Sequence, residues 1–154
     1  MKFWDKIKDW ALEGNDDELN VNMNAFDYHP KIILAWKVCL TGNKEISKWL
    51  AENGYIELVK ASAAILGHED SRVWLMENGY PHLMAFINAI EEEEKAFQWL
   101  KRYNYEKLYF MANAINDDLL AWQWLHANAS EDIILFCNQV IDLRKRIDDV
   151  TQKM

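Results

Sequence analysis

The dipeptide Trp-Leu recurs at a fixed interval along this chain of 154 residues. It stands at Trp49-Leu50, Trp74-Leu75, Trp99-Leu100 and Trp124-Leu125, so that successive copies are 25 residues apart. A strict period of this length is typical of repeat proteins, in which each residue can be compared with its equivalents in the neighbouring units. The repeat therefore predicts a fold built from similar structural units that stack on one another.

Each unit has room for two short helices and two turns. The chain contains only five Gly and two Pro, which favours helices over an all-β fold with its many turn residues. We predict first helices over 31–41, 56–66, 81–91, 106–116 and 131–149, and second helices over 44–53, 69–78, 93–103 and 118–128. The predicted fold is all-α, an α-solenoid of antiparallel helix pairs in which the recurring Trp packs each second helix against its first.

The pattern predicts a single domain over residues 1–154, with an N-terminal cap and connector (1–29), helix-pair repeats (30–128) and a long C-terminal helix (129–154). Residues 2–12 place Phe3, Trp4, Ile7 and Trp10 at helical spacing, which indicates an amphipathic helix. We interpret it as a cap on the stack rather than a membrane anchor, because its two Asp residues weaken the attraction to lipid. Residues 19–29 fit either a degenerate first unit of the repeat or a loop.

Two stretches resemble the helix pair of ankyrin repeats. One runs from Gly42 to Gly54, and the other begins with Ala63-Ala64-Ile65-Leu66-Gly67-His68 and ends at Gly79. The Thr-Pro-Leu-His start of that family is absent, and the period is 25 residues where the family has about 33. The resemblance implies ankyrin-like helix pairs joined by tight turns, and a role as a non-catalytic binder of proteins. It implies no particular contact residues.

The first helices are apolar well beyond the stripe that their core needs. Their opposite face is a candidate partner-binding surface. Its residues are Met84, Asn88, Tyr109, Phe110, Asn113, Ile134, Leu135 and Asn138. The alternative is that these helices are buried on both sides, by tight superhelical curvature or by a partner subunit, with the asparagines tying adjacent units together. Burial in a homodimer would satisfy both interpretations.

Acidic residues gather where the second helices begin. They are Glu91, Glu92, Glu93, Glu94, Asp117 and Asp118. Carboxylates at a helix start oppose the macrodipole, which is a sufficient structural reason for them. The functional alternative is an acidic inhibitor that occupies the basic nucleic-acid site of an enzyme. The net charge of -8 disfavours direct binding to nucleic acid or to an anionic membrane.

The sequence offers no constellation that requires chemistry. It contains no glycine-rich phosphate loop, nucleophile elbow or Cys-x-x-Cys, and its four histidines fall in unrelated repeat positions. We therefore predict no enzymatic activity, no metal and no cofactor. Cys39 and Cys137 lie in apolar helical runs and are expected to be reduced core thiols. With no apolar leader and no run of ~20 apolar residues, we expect a cytoplasmic protein without a membrane span.

Overall fold

The structure, a computed structural model, describes residues 25–152, which contain nine helices and no strand. The helices are α1 (Pro30–Cys39), α2 (Lys44–Glu52), α3 (Ile56–Ile65), α4 (Glu69–Glu77), α5 (Pro81–Ile90), α6 (Glu94–Arg102), α7 (Glu106–Ile115), α8 (Leu119–Asn128) and α9 (Glu131–Gln152). The prediction of an all-α fold is confirmed, and the helix ends lie close to those predicted, although α9 continues to Gln152. Residues 25–29 are not helical, and the predicted cap helix over 2–12 lies outside the described residues.

The helix ends repeat with the same period as the Trp-Leu dipeptide. Gly54 and Gly79 follow α2 and α4 with φ of 91° and 87°, in the left-handed conformation that closes a helix. The other turn of each unit also needs a left-handed residue. Gly42 and Gly67 supply it in the first two units with φ of 86° and 103°, whereas the equivalents in the next two are Glu92 (φ 66°) and Asp117 (φ 69°).

Replacing Glu92 with glycine is therefore expected to stabilise the protein. A side chain in the left-handed region costs about 1–2 kcal/mol, part of which the flexibility of glycine in the unfolded chain offsets. We expect the free energy of unfolding to rise by about 0.5–1 kcal/mol, as measured by urea denaturation. Glu92→Ala is the matched control, because it removes the charge and keeps Cβ. An equal gain in the alanine variant would assign the effect to charge.

The odd-numbered helices form an inner layer and the even-numbered helices an outer one. Each inner helix contacts the next, from α1 to α9, and each outer helix packs against the inner helices before and after it. Extensive contact between α9 and α1 joins the two ends of the inner layer. The predicted α-solenoid did not anticipate this contact, since the first and last units of an open stack touch only their neighbours. The five inner helices form a closed ring.

One repeat position fills the centre of the ring. It holds Trp36, Ala61, Phe86, Met111 and Phe136, all fully buried. The rings of Trp36 and Phe136 stack with centroids 3.9 Å apart, and Phe86 lies 6.3 Å from Trp36 and 6.4 Å from Phe136. Only three of the five side chains are aromatic, and Ala61 and Met111 occupy the other two positions, so the group fits where five aromatic rings would collide. A layer of Ile33, Leu58, Leu83, Leu108 and Ile133 packs beside them.

The recurring Trp is less uniformly buried than the sequence predicts. Trp99 is 4% exposed, whereas Trp49 is 46% exposed. In the first three units this Trp stacks on the Tyr six residues later, with centroid distances of 6.4 Å for Trp49–Tyr55, 6.1 Å for Trp74–Tyr80 and 5.8 Å for Trp99–Tyr105. In these three units the Trp thus holds the outer helix to the start of the following inner helix.

Candidate partner-binding surfaces

Two residues of the predicted partner-binding face lie in the interior. Met84 and Asn88 belong to α5, in which every residue is buried. Helix α5 lies between inner helices α3 and α7, with outer helices α4 and α6 behind it. Neither residue can contribute to an exposed surface. The burial of α5 agrees with the alternative that the first helices are buried on both sides, and the cause given there, tight curvature or a partner subunit, stays a prediction.

Three further residues of that face lie on α7 and are half-buried, and two of them contact neighbouring outer helices. The ring of Tyr109 meets Phe97 of α6 edge to face, with centroids 6.1 Å apart. Phe110 stacks on Trp124 of α8 at 4.2 Å. Asn113 donates from Nδ2 to the carbonyl oxygen of Tyr109 in its own helix, at 2.9 Å. The two aromatic side chains therefore join the inner and outer layers.

The remaining residues of the predicted face lie on α9, and here the same repeat positions reach the surface. Leu135 is 37% exposed, whereas its equivalent Ala85 is fully buried. Asn138 is exposed and Ile134 is half-buried. The difference follows from the ring, because α9 has an outer helix over only one of its two sides in the described part of the chain. The predicted face is therefore exposed only where the ring closes.

The acidic residues lie at one end of the ring, and several of them have local structural roles. Asp118 accepts a hydrogen bond from the backbone N–H of Ala121 at 3.1 Å and so caps α8. Glu94 is in the first turn of α6, where its charge favours the helix dipole. Glu92 and Asp117 occupy the left-handed turn positions, and Glu93 precedes α6 as its half-buried N-cap residue.

Glu91 is paired with a basic residue in a small polar network, so its charge is not free on the surface. Both of its carboxylate oxygens accept from the guanidinium of Arg72, a bidentate arrangement. Arg72 also donates from Nη1 to Oδ1 of the buried Asn88 at 2.6 Å. The side chain of Arg72 is only 12% exposed, so the network ties α4 to the end of α5 from within.

A pair of leucines that sequence reasoning missed stands at the same end of the ring. Leu119 and Leu120, the first two residues of α8, are 69% and 72% exposed, more than any other large apolar side chain in the described part of the chain. The equivalent positions in the three earlier units are all charged: Lys44-Glu45, Glu69-Asp70 and Glu94-Lys95. Comparing the repeat position by position would have revealed the pair, because only the fourth unit replaces a charged helix start with two leucines.

Helix α9 runs past this end of the ring, since its 22 residues are more than double the length of the other inner helices. Arg144 donates from Nη1 to Oδ1 of Asn116 at 2.9 Å, and Nδ2 of Asn116 donates to the carbonyl oxygen of Ala89 at 3.0 Å. These bonds link α9 with the ends of α7 and α5. A shallow cavity of about 170 Å³ lies here between Ile147 and the ends of α3 and α5.

The opposite end of the ring holds buried polar groups. Glu57, at the start of α3, accepts a hydrogen bond from the hydroxyl of Tyr28 at 2.9 Å. Burial and this carboxylate raise the pKa of Tyr28 above its usual range. His82, at the start of α5, is fully buried and stacks on Tyr105 at 4.7 Å, with neither ring nitrogen hydrogen-bonded. Burial lowers the pKa of His82 to about 4, so the ring is neutral at pH 7.

Cys39 and Cys137 are both unpaired and buried, as predicted. Sγ of Cys39 lies 3.1 Å from the hydroxyl oxygen of Ser47, and burial raises the pKa of the Cys137 thiol. Among residues 25–152 there is no group of three or more His, Cys, Asp or Glu side chains placed to hold a metal ion. In the same range no helix is both long and apolar enough to cross a membrane.

Comparison with known proteins gives no relative from which a role could be transferred. No family model matches the chain, and neither a curated protein nor a solved structure matches it. The function is therefore inferred from the surfaces of the protein itself.

Proposed function

We propose that the protein is a non-catalytic protein-binding module whose partner contacts the leucine pair Leu119–Leu120. One observation carries this proposal: two leucines stand at a helix start where every other unit has charged residues, and both are about 70% exposed. Exposed leucines add nothing to the packing of the fold, and a partner that covers them gains the free energy of burying their apolar surface. The resemblance to ankyrin helix pairs supports the same class of function.

The surroundings of the leucine pair indicate the chemistry of the partner. Asp117 and Asp118 precede the pair directly, and the turn carrying Glu91 to Glu94 lies at the same end of the ring. A complementary surface would present an apolar side chain flanked by Lys or Arg, so that charge steers the encounter and apolar burial holds the complex. This site replaces Met84 and Asn88 of the predicted face, which are buried.

The test is affinity purification with the full chain as bait, in three forms. Wild type is compared with Leu119→Glu/Leu120→Lys, which restores the residues found at Glu94-Lys95, and with Leu66→Glu, which changes a leucine 42% exposed in another turn. We expect the leucine-pair variant to lose at least tenfold in affinity for a partner that wild type and the Leu66 variant retain, since about 1.4 kcal/mol corresponds to tenfold. Equal retention by all three forms would contradict the proposal.

Salt dependence separates this function from the second candidate, an acidic inhibitor of a nucleic-acid enzyme. If the leucines dominate, affinity for the partner falls only modestly as the salt concentration rises, because salt weakens the steering charges and leaves apolar burial intact. Binding through exposed carboxylates falls steeply instead, because salt screens charges on the surface. Sedimentation of the purified chain completes the test, since a dimer that the leucine-pair variant dissociates would identify the partner as a second copy.

Two finer points of the predicted architecture belong to this proposal. We regard the helix pairs as solenoid-like units whose curvature is tight enough to close, as the contact between α9 and α1 supports. We also retain the N-terminal amphipathic helix as a cap.

A further inference from the structure

The apolar stripe of α9 continues beyond the ring. Its members are spaced alternately three and four residues apart, and they are Ile133, Phe136, Val140, Leu143, Ile147 and Val150. In repeat register Val140 is equivalent to Ile115, the last residue of α7, so the stripe leaves the ring after Val140. We call residues 141–152 of this helix the α9 extension. The extension therefore carries the same stripe that packs α9 into the core.

The stripe becomes exposed where it leaves the ring. Val140 is fully buried and Leu143 is half-buried, whereas Ile147 is 44% exposed and Val150 is 60% exposed. The shallow cavity of about 170 Å³ between Ile147 and the ends of α3 and α5 leaves room beside this side chain. Apolar residues at heptad spacing are the pattern by which one helix packs along another. The α9 extension thus presents a helix-packing face that the ring covers only in part.

The charges around Ile147 are poorly arranged for an isolated helix. Lys145 and Arg146 precede it, and Asp148 and Asp149 follow it. Both acids lie near the C-terminal end of α9, where carboxylates oppose the helix macrodipole, and the last turn carries no basic residue. A lysine four residues before an acid, as in Lys145 and Asp149, is also the less favourable order within a helix. A partner that pairs with both charged blocks would offset these costs.

The charge pattern is self-complementary when a second copy of the helix runs antiparallel. About a two-fold axis at Ile147, Arg146 of one copy meets Asp148 of the other. By the same symmetry Lys145 meets Asp149. Parallel pairing would instead place each charge beside one of the same sign. An antiparallel second copy is therefore the occupant that matches both the charges and the apolar stripe.

We propose that two copies of this chain pair antiparallel through their α9 extensions, with a two-fold axis at Ile147. Leu143 of each copy lies beside Val150 of the other, so the apolar stripe is buried along the contact. Both copies use the same patch, so the assembly closes at two chains. One pair of short helices buries less than the standard interface of about 1,600 Å², so the dimer is weak and reversible. This inference concerns a different surface from the proposed function and does not depend on it.

Sedimentation equilibrium of the full chain, over a range of protein concentrations, tests the pairing. We expect wild type to dissociate reversibly from dimer to monomer on dilution. Ile147→Asp places two carboxylates at the axis and should weaken the dimer at least about tenfold. Leu119→Glu/Leu120→Lys changes the other apolar site at this end of the ring, and it should leave association unchanged. Far-UV circular dichroism of each variant reports whether the ring is folded.

Charge reversal tests the antiparallel register. Arg146→Asp and Asp148→Arg each bring like charges together, so each should weaken the dimer about tenfold or more. The double variant Arg146→Asp/Asp148→Arg should restore association, and so should an equimolar mixture of the two single variants, because both recreate opposite pairs between copies. Residues two apart on one helix do not face each other, so this rescue cannot arise within one chain.

Wild type that stays monomeric at every concentration would overturn the proposal. A dimer that survives Ile147→Asp, or that the leucine-pair variant dissociates, would overturn it by placing the interface elsewhere. If Ile147→Asp unfolds the ring, the mixture of the two charge-reversal variants decides the question. Failure of both the mixture and the double variant to associate would show that the antiparallel register is wrong.

Discussion

Replacing Trp36 with alanine is expected to lower the free energy of unfolding by about 3–5 kcal/mol, as for other buried aromatic residues. Trp36 is fully buried at the centre of the ring, stacked on Phe136 of α9 and close to Phe86 of α5. Its removal leaves a cavity lined by three inner helices, which cannot collapse without opening the junction between α1 and α9. Urea denaturation followed by far-UV circular dichroism measures the loss.

Trp36→Phe is the matched control for this variant. It keeps an aromatic ring in the stack and removes the indole N–H, which is buried without a hydrogen-bond partner. Relief of that polar group offsets part of the lost volume, so we expect a cost below about 1.5 kcal/mol. A loss of less than about 1 kcal/mol in the alanine variant would mean that the centre of the ring is not packed as described.

The second large effect is an acid-dependent loss of stability that is caused by His82. The pKa of its buried ring is lowered to about 4 from an ordinary value of 6.5. As the pH falls below about 6.5, the unfolded chain binds a proton that the folded protein does not, and unfolding is favoured. The contribution is absent above this range and grows between pH 6.5 and 4. It approaches about 3 kcal/mol at about 1.4 kcal/mol per pKa unit.

His82→Phe isolates this contribution, because phenylalanine keeps a ring to stack on Tyr105 and cannot be protonated. Free energies of unfolding, measured by urea denaturation from pH 7 to pH 4, should fall less steeply in the variant than in wild type. Acidic side chains affect both proteins alike, so the difference between the two curves reports His82. His126→Phe, at an exposed position, should follow wild type. Parallel curves for His82→Phe and wild type would show that His82 is accessible to protons when folded.

The local structure could be predicted from the sequence, because the signals for it are local. The Trp-Leu period set the unit, Pro30 and Pro81 marked helix starts, and Gly54 and Gly79 marked helix ends. Each of these residues acts through backbone conformation or through a neighbour in the same unit, so one unit is enough to recognise it.

Closure of the ring could not be predicted in this way. It depends on the small rotation between successive units, which accumulates over five inner helices and is set by side-chain volumes across each junction. The mixed sizes of Trp36, Ala61 and Phe86 are visible in the sequence, but only the closed ring shows that these side chains pack against one another at its centre. For the same reason Ala85 and Leu135, in one repeat position, have different exposures.

The candidate site could be predicted only in part from the sequence. The acidic turns and their role at helix starts could be predicted, because that role is local, whereas the pairing of Glu91 with Arg72 depends on a contact between units. Leu119 and Leu120 were missed because an apolar pair at a helix start seems unexceptional until the equivalent positions are compared. In a repeat protein such a departure is informative, since the other units show what packing alone requires.

The most direct test of the ring is a double-mutant cycle between Trp36 and Phe136. The free energy of unfolding is measured for Trp36→Ala, Phe136→Ala, the double variant and wild type, and the coupling energy is taken from the four values. Stacked rings with centroids 3.9 Å apart predict a coupling of about 1 kcal/mol or more. In an open stack these residues would lie four units apart, and a coupling within about 0.3 kcal/mol of zero would contradict the closed ring.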